Sequence, residues 1–235
     1  MVDNLFDRRS DNQEVNQKSF FMNWQRARNP DQKAERVDAI LAAAAALFDE
    51  KELSDISMRD VAARAGLGKA SLYHYFKTKE EVFISLYRAE LDRWLPDVQQ
   101  RLGRLRAPNP ARVPKALADA LRERTRFCRL TVVFASVLEH NLSREFIRDF
   151  KQSLFEPLGQ FSVSLKATLD LSDDSIQDFL IQHHATIAGL WPLAHPSPQV
   201  SEVLEDDQFE GFRIDFYRLF EQTLCQVLEA GCENK

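Results

Sequence analysis

A chain of 235 residues with 44% hydrophobic content has the length for one large helical domain, or for a small domain on a larger one. Its 31 Lys and Arg stand against 36 Asp and Glu, a net charge of −5, so the chain as a whole is no polycation and a polyanion would have to meet a local patch. Seven glycines and nine prolines suit a mostly helical protein, no apolar run reaches the roughly 18 residues of a membrane helix, and the N-terminus lacks an apolar signal-peptide stretch. A cytoplasmic location is expected. Cys128, Cys225 and Cys232 are odd in number and lack metal-type spacing, which fits reduced thiols; Cys225 and Cys232 are seven apart on one helix face, and a redox role for them stays open.

Residues 1–28 are polar and mixed in charge, and are expected to form a flexible arm. An apolar knot, Phe20-Phe21-Met22-Asn23-Trp24, interrupts it, and Arg26 and Arg28 close it. Such an arm could reach a DNA groove, but a solvated tail is the plainer reading. The first helix is expected from Asn29-Pro30, with Asn29 as cap and Pro30 in the first turn. Val37, Ile40, Leu41, Ala44, Leu47 and Phe48 give it one apolar face.

From Ser57 to Lys79 the pattern is two short helices around a tight turn. Ser57 and Asp60 make a capping box, and Ile56 with Val61 a hydrophobic staple. Gly66 suits the left-handed residue that closes the first helix. A second helix is expected from Lys69 to Phe76. Ala62, Gly66 and Leu72 then fall where a helix-turn-helix needs a small contact, a turn glycine and an apolar plug. This stretch carries Arg59, Arg64, Lys69, Lys77 and Lys79 against Asp60 alone, a basic island on an acidic chain. That arrangement points to one docking face for a polyanion.

Ser57-Met-Arg-Asp-Val-Ala-x-x-Ala-Gly66-Leu-x-x-x-Ser-Leu72-Tyr-His-Tyr-Phe76-x-x-Lys79-Glu80-Glu81 resembles the TetR family of bacterial transcriptional regulators. The resemblance runs from about Lys33 to about Arg93. It departs at Gly68, where the family usually has Ser or Thr as the cap of its recognition helix; glycine still caps acceptably. The resemblance implies an all-α fold: an N-terminal three-helix helix-turn-helix domain, residues 29–93 with the motif at about 57–76, joined by a long helix to a larger helical ligand-binding and dimerisation domain, residues 94–235.

Thr78-Lys79-Glu80-Glu81 is a second capping box and starts that long helix, which Pro96 should kink or end. Beyond Ala107-Pro108-Asn109-Pro110, helices are expected from Pro114 to about Arg126 and from Phe127 to His140. Ser143 caps a helix to about Leu169 bent by Pro157, and Ser172 caps one ending at Pro192. An acidic loop follows over residues 195–207, and the final helix is expected to carry Phe209, Phe212, Phe216, Leu219, Phe220, Leu224, Val227 and Leu228. No fixed-period repeat and no strand pattern is visible.

Eleven of the 17 phenylalanines lie between Phe127 and Phe220. Most are expected in the core. Trp94, Phe127, Phe134, Phe155, Phe161, Phe179, His183 and Trp191 are candidates to line a site for an apolar or aromatic ligand. The last two long helices are apolar and, by the resemblance, meet their copies from a second subunit; Gly189 would permit close approach there, and Phe216, mid-way along the final helix, is either at that seam or in the core of its own subunit. Adjacent His183 and His184 point about 100° apart on a helix, poor geometry for one metal ion. No phosphate loop, nucleophile elbow or zinc motif is present, so neither an enzyme nor a cofactor is indicated.

The expected protein is a homodimer that puts two recognition helices into successive major grooves of a palindromic double-stranded site. Lys69, Ala70 and His74 are candidates for base edges; Arg59, Tyr73, Tyr75 and Lys79 are candidates for phosphates. A ligand-released repressor is the first reading. A DNA-binding protein whose C-terminal domain only dimerises or meets another protein is the alternative.

Overall fold

The computed structural model describes residues 30–105, 109–136, 141–169 and 171–233. The expected arm, residues 1–28, and the cap Asn29 lie outside them. Among the described residues every regular element is helical, so the all-α expectation holds. The chain divides into two compact units: Met1–Ala89 with Ser136–Gly159, and Glu90–Ala135 with Gln160–Lys235.

In the first unit, helix α1 (Pro30–Glu50) buries Ile40, Ala44, Leu47 and Phe48, the residues at three- and four-residue steps. Phe48 meets Phe83 edge-on at 5.5 Å. After a 3-10 turn (Leu53–Asp55), helix α2 (Met58–Arg64) opens with its reciprocal cap. The Asp60 N–H donates to Ser57 Oγ at 3.2 Å and the Ser57 N–H to Asp60 Oδ2 at 2.9 Å. The staple residues Ile56 and Val61 are buried. Gly66 closes α2 at φ 67°, where a Cβ would be strained. Helix α3 (Lys69–Tyr73) follows, shorter than the expected Lys69–Phe76 because its last residues tighten into turn bonds: His74 N–H to Ser71 O and Tyr75 N–H to Leu72 O.

Helix α4 (Lys79–Gly103) starts as the second capping signal requires, with the Glu81 N–H on Thr78 Oγ1 at 3.2 Å. The Glu81 carboxylate turns back to accept the Lys77 N–H at 2.6 Å. Pro96 neither ends nor divides α4. A proline inside a helix costs about 3 kcal/mol. Trp94, Leu95, Val98 and Leu102, all buried around it, outweigh that cost.

Past a 3-10 turn (Pro110–Arg112) come α5 (Val113–Leu121) and α6 (Thr125–Ser136). The break falls at residues 122–124, before the expected Arg126, where Arg124 N–H bonds back to Leu121 O and leaves Arg122 and Glu123 in solvent. The end of the second of these helices, residues 137–140, lies outside the described residues. The single helix expected after Ser143 is two, α7 (Arg144–Ser153) and α8 (Phe155–Lys166). Pro157 accounts for the break at Leu154: it lacks the N–H that would bond the Ser153 carbonyl, and its ring crowds that carbonyl.

Helix α9 (Asp173–Ala194) passes through Pro192 rather than stopping there. The expected loop contains α10 (Pro198–Leu204), capped by Ser197, and Arg213 clamps its end by donating to Leu204 O at 2.6 Å and Glu205 O at 2.7 Å. The final helix does not start at Phe209. Residues Asp207–Phe212 form a 3-10 turn, and α11 (Phe216–Glu233) starts after Asp215, whose Oδ1 accepts the Arg218 N–H at 3.1 Å. Helix α11 lies against α9 and α5.

This start site corrects one expectation and decides another. Phe212 is off the helix and 69% exposed, whereas Phe216 is 3% exposed in the core of its own subunit. Phe216 packs edge-on against Trp191 at 4.9 Å and stacks on Phe220 at 5.5 Å. It is therefore no seam residue. Phe216→Glu should abolish cooperative unfolding of the second unit, because a buried unpaired carboxylate costs several kcal/mol. Phe212→Glu should stay within about 0.5 kcal/mol of the parent. Urea unfolding followed by circular dichroism separates the two.

Candidate nucleic-acid interface and regulatory core

Helix α3 buries a single side chain, Leu72, at 0% exposure. Lys69, Ala70, Ser71, Tyr73 and His74 are exposed and Tyr75 is half-buried. One plug thus holds a short helix whose remaining side chains face solvent. Gly68 takes the cap position in extended backbone without a side-chain bond, so α3 begins with bare N–H groups. Lys69 Nζ lies 5.9 Å from the Tyr73 ring. Ser71 shares the exposed surface although it is not a sequence candidate; the 3.6-residue period puts it about 60° beyond His74 on the side away from Ala70, and that is the available signal.

The basic island is smaller than its sequence count. Arg64 is engaged by Glu50 through two bonds, Nη1 to Oε1 at 2.9 Å and Nη2 to Oε2 at 2.8 Å. This pair holds Glu50 below its ordinary carboxylate range, chiefly through the Arg64 hydrogen bond. Lys79 Nζ donates to the Leu53 carbonyl at 2.7 Å, tying α4 to the 3-10 turn. Arg59 and Lys69 are exposed and make no ion pair among the described residues.

In the second unit, four of the aromatic candidates come together. Trp94 stacks on Phe127 at 5.4 Å and on His183 at 5.4 Å, and meets Phe161 edge-on at 5.1 Å. Phe220, which sequence reading left out, closes the group at 5.6 Å from His183. Its place four residues after Phe216 was the signal. Trp191 belongs to a neighbouring group with His195 at 3.8 Å and Phe216. Phe134 packs on His184 at 5.9 Å, so the two adjacent histidines serve different neighbours. Phe179 borders a cavity of about 610 Å³ between α9 and α11, whose wall also includes Ser175, Asp178, Gln182 and Gln226. Leu171, Val227 and Leu228 add apolar surface to the same wall. Phe155 is 49% exposed and falls in the first unit.

Comparison with known proteins agrees with this geometry. A family model described as "Tetracyclin repressor-like, C-terminal domain" matches residues 88–233, and one described as "Bacterial regulatory proteins, tetR family" matches residues 40–86. The chain belongs to the TetR family. It is 42% identical over 66 residues to the HTH-type transcriptional repressor KstR2 of Mycolicibacterium smegmatis, covering 28% of this chain. It is 41% identical over 73 residues, 31% of this chain, to the HTH-type transcriptional regulator EthR of Mycobacterium tuberculosis. The chain spans only about a third of the length of these relatives, 32% of each. Two solved structures share its fold: a TetR transcriptional regulator from Rhodococcus sp. RHA1 (TM-score 0.56, 19% identity, 85% of this chain and 96% of that one) and the fatty acid degradation regulator FadR from Bacillus halodurans (0.53, 16%, 86% and 97%).

This TetR-family chain has no group of three or more His, Cys, Asp or Glu placed to hold a metal among the described residues, and no described helix is long and apolar enough to cross a membrane. Burial pushes the Cys128 thiol up to about 12 and also raises Cys225; the Cys232 side chain lies outside the described residues. His183 is pushed down to about 3, first by burial and then by the charge of His184. The unfolded chain therefore takes up a proton at His183 near its ordinary value while the folded chain does not, and stability is lost as pH falls from about 6.5. Between pH 7 and pH 5 the wild type should lose up to about 1.4 kcal/mol per pH unit below that value, and His183→Gln should lack this component. Urea titrations at the two pH values read the difference.

Proposed function

We propose that this protein is a sequence-specific DNA-binding transcriptional regulator that works as a homodimer and represses until a small apolar or aromatic ligand releases it. The observation that carries the reading is α3: a helix held by Leu72 alone, with Lys69, Ala70, Ser71 and His74 turned outward. Lys69, Ala70 and His74 read base edges in the major groove, while Arg59, Tyr73 and Tyr75 set register on phosphates. Repression is supported by the kinship to KstR2, an HTH-type transcriptional repressor. The domain assignment follows the same lines: residues 29–93 read DNA and residues 94–235 dimerise and bind the effector. The aromatic group of the second unit supports the ligand reading. A ligand that binds the released conformation better than the DNA-bound one shifts the population by that difference alone.

Dimerisation is supported by α9. Ile181 is 59% and Leu193 58% exposed, with Ala185 and Gly189 exposed on the same side between them. A Cβ on Gly189 would meet nothing within 4 Å. Small residues flanked by exposed aliphatics let a second helix approach closely. Leu193→Glu should give a monomer that keeps its fold and loses affinity for a palindromic site, read by light scattering and gel shift. A dimer unchanged in that variant excludes this face.

Lys69 and Lys79 separate reading from support. Lys69→Ala should cost about 1–3 kcal/mol on the preferred site and relax preference at one base position, with unfolding unchanged. Lys79→Ala should lower folding stability by about 1–3 kcal/mol, because it removes a charged donor from the Leu53 carbonyl. Selection of bound fragments from genomic DNA, followed by gel shift across salt concentrations and thermal unfolding, checks both. No salt-sensitive binding to any selected fragment would sink the regulator reading.

A further inference from the structure

Two polar atoms of the second unit are not accounted for by packing. Trp94 Nε1 and His183 Nε2 are both buried, and neither has a hydrogen-bond partner among the described residues. Their side chains are only 1% and 5% exposed. They come from different helices, α4 and α9, yet lie ring on ring at 5.4 Å and 30°. Around them stand Phe127, Phe161 and Phe220, none with a polar atom to offer. A buried polar group without a partner costs about 1–3 kcal/mol. Phenylalanine at either position would avoid that cost in such surroundings. Two costs side by side, on neighbouring rings, indicate a use.

We propose that Trp94 Nε1 and His183 Nε2 are the polar anchors of the effector site, and that the effector is an uncharged, largely apolar or aromatic molecule bearing one oxygen. The indole N–H only donates, so the effector must present an acceptor to it. The imidazole nitrogen then selects the type of oxygen. With its proton on Nε2, His183 donates a second bond to a carbonyl; with Nε2 bare, it accepts from a hydroxyl. A carboxylate is disfavoured, because burial keeps His183 neutral and no countercharge comes from it. A trapped water is the competing occupant: this pair would supply two partners, at the lower end of the two to four that a buried water makes. The oxygen fills the vacant bonds only when the effector is present, so it contributes affinity and selects against hydrocarbons of the same shape. The inference rests on the reading of the second unit as effector-binding.

Three matched probes test it on the full chain by isothermal titration: butyrophenone, 1-phenylbutan-1-ol and butylbenzene. One oxygenated probe should bind about ten-fold more tightly than butylbenzene, the size of one hydrogen bond. Ketone preferred over alcohol assigns the proton to His183 Nε2, and the reverse leaves that nitrogen bare. Trp94→Phe should remove the preference and leave butylbenzene binding in place. The wild type labelled with 5-fluorotryptophan gives an independent readout, in which the Trp94 fluorine signal should shift more with the preferred oxygenated probe than with butylbenzene. Equal affinity for all three probes overturns the anchor while leaving an apolar site standing. An oxygen preference that leaves the Trp94 signal unmoved places the anchor elsewhere and also overturns it. Binding of none overturns both the anchor and the effector reading.

Discussion

A helix of five residues has no stability of its own: nucleation is unfavourable and each turn gains only a few bonds. Everything that α3 can do depends on being held from outside. Leu72 anchors it at 0% exposure, Gly66 aims it by turning the chain at φ 67°, and Ile56 and Val61 seat the helix before it. Because one side chain carries the attachment, the others stay in solvent. A longer helix would have to bury more of its surface and would present less.

The charges near α3 show the same division of labour. Arg64 is spent on Glu50 and Lys79 on the Leu53 carbonyl, so two of the five cations of the island hold the scaffold together. Arg59 and Lys69 keep the exposed positions. Counting charge along the chain therefore overstates the field available to a polyanion, since a paired guanidinium contributes much less at a distance than a free one.

The second unit is organised by aromatic stacking rather than by charge. Trp94, Phe127, Phe161, His183 and Phe220 arrive from α4, α6, α8, α9 and α11, so the cluster joins five helices. A buried carboxylate lies on one of the same helices: Glu90 Oε1 accepts from Arg93 and from Arg126, both at 2.8 Å. Such a core tolerates apolar exchange well and polar vacancies poorly. That makes the Trp94 and His183 nitrogens the least expected feature of the unit.

The features legible in the chain alone are local ones. The Ser57–Asp60 box, the left-handed Gly66, the plug at Leu72 and the Thr78 cap all act within a few residues, so their spacing was enough to place α2, α3 and the start of α4 and to bring out the family likeness. The tertiary structure decided what depends on distant partners. Pro96 and Pro192 stay within helices, α4 being held around Pro96 by buried side chains, whereas Pro157 accompanies a break at Leu154. Phe216 turned inward and Phe212 outward because α11 begins four residues beyond Phe212. Likewise, nothing near Trp94 in the chain announces His183. Hydrogen bonds between residues three or four apart are written in the local sequence; whether a ring nitrogen finds a partner depends on side chains nearly ninety residues away.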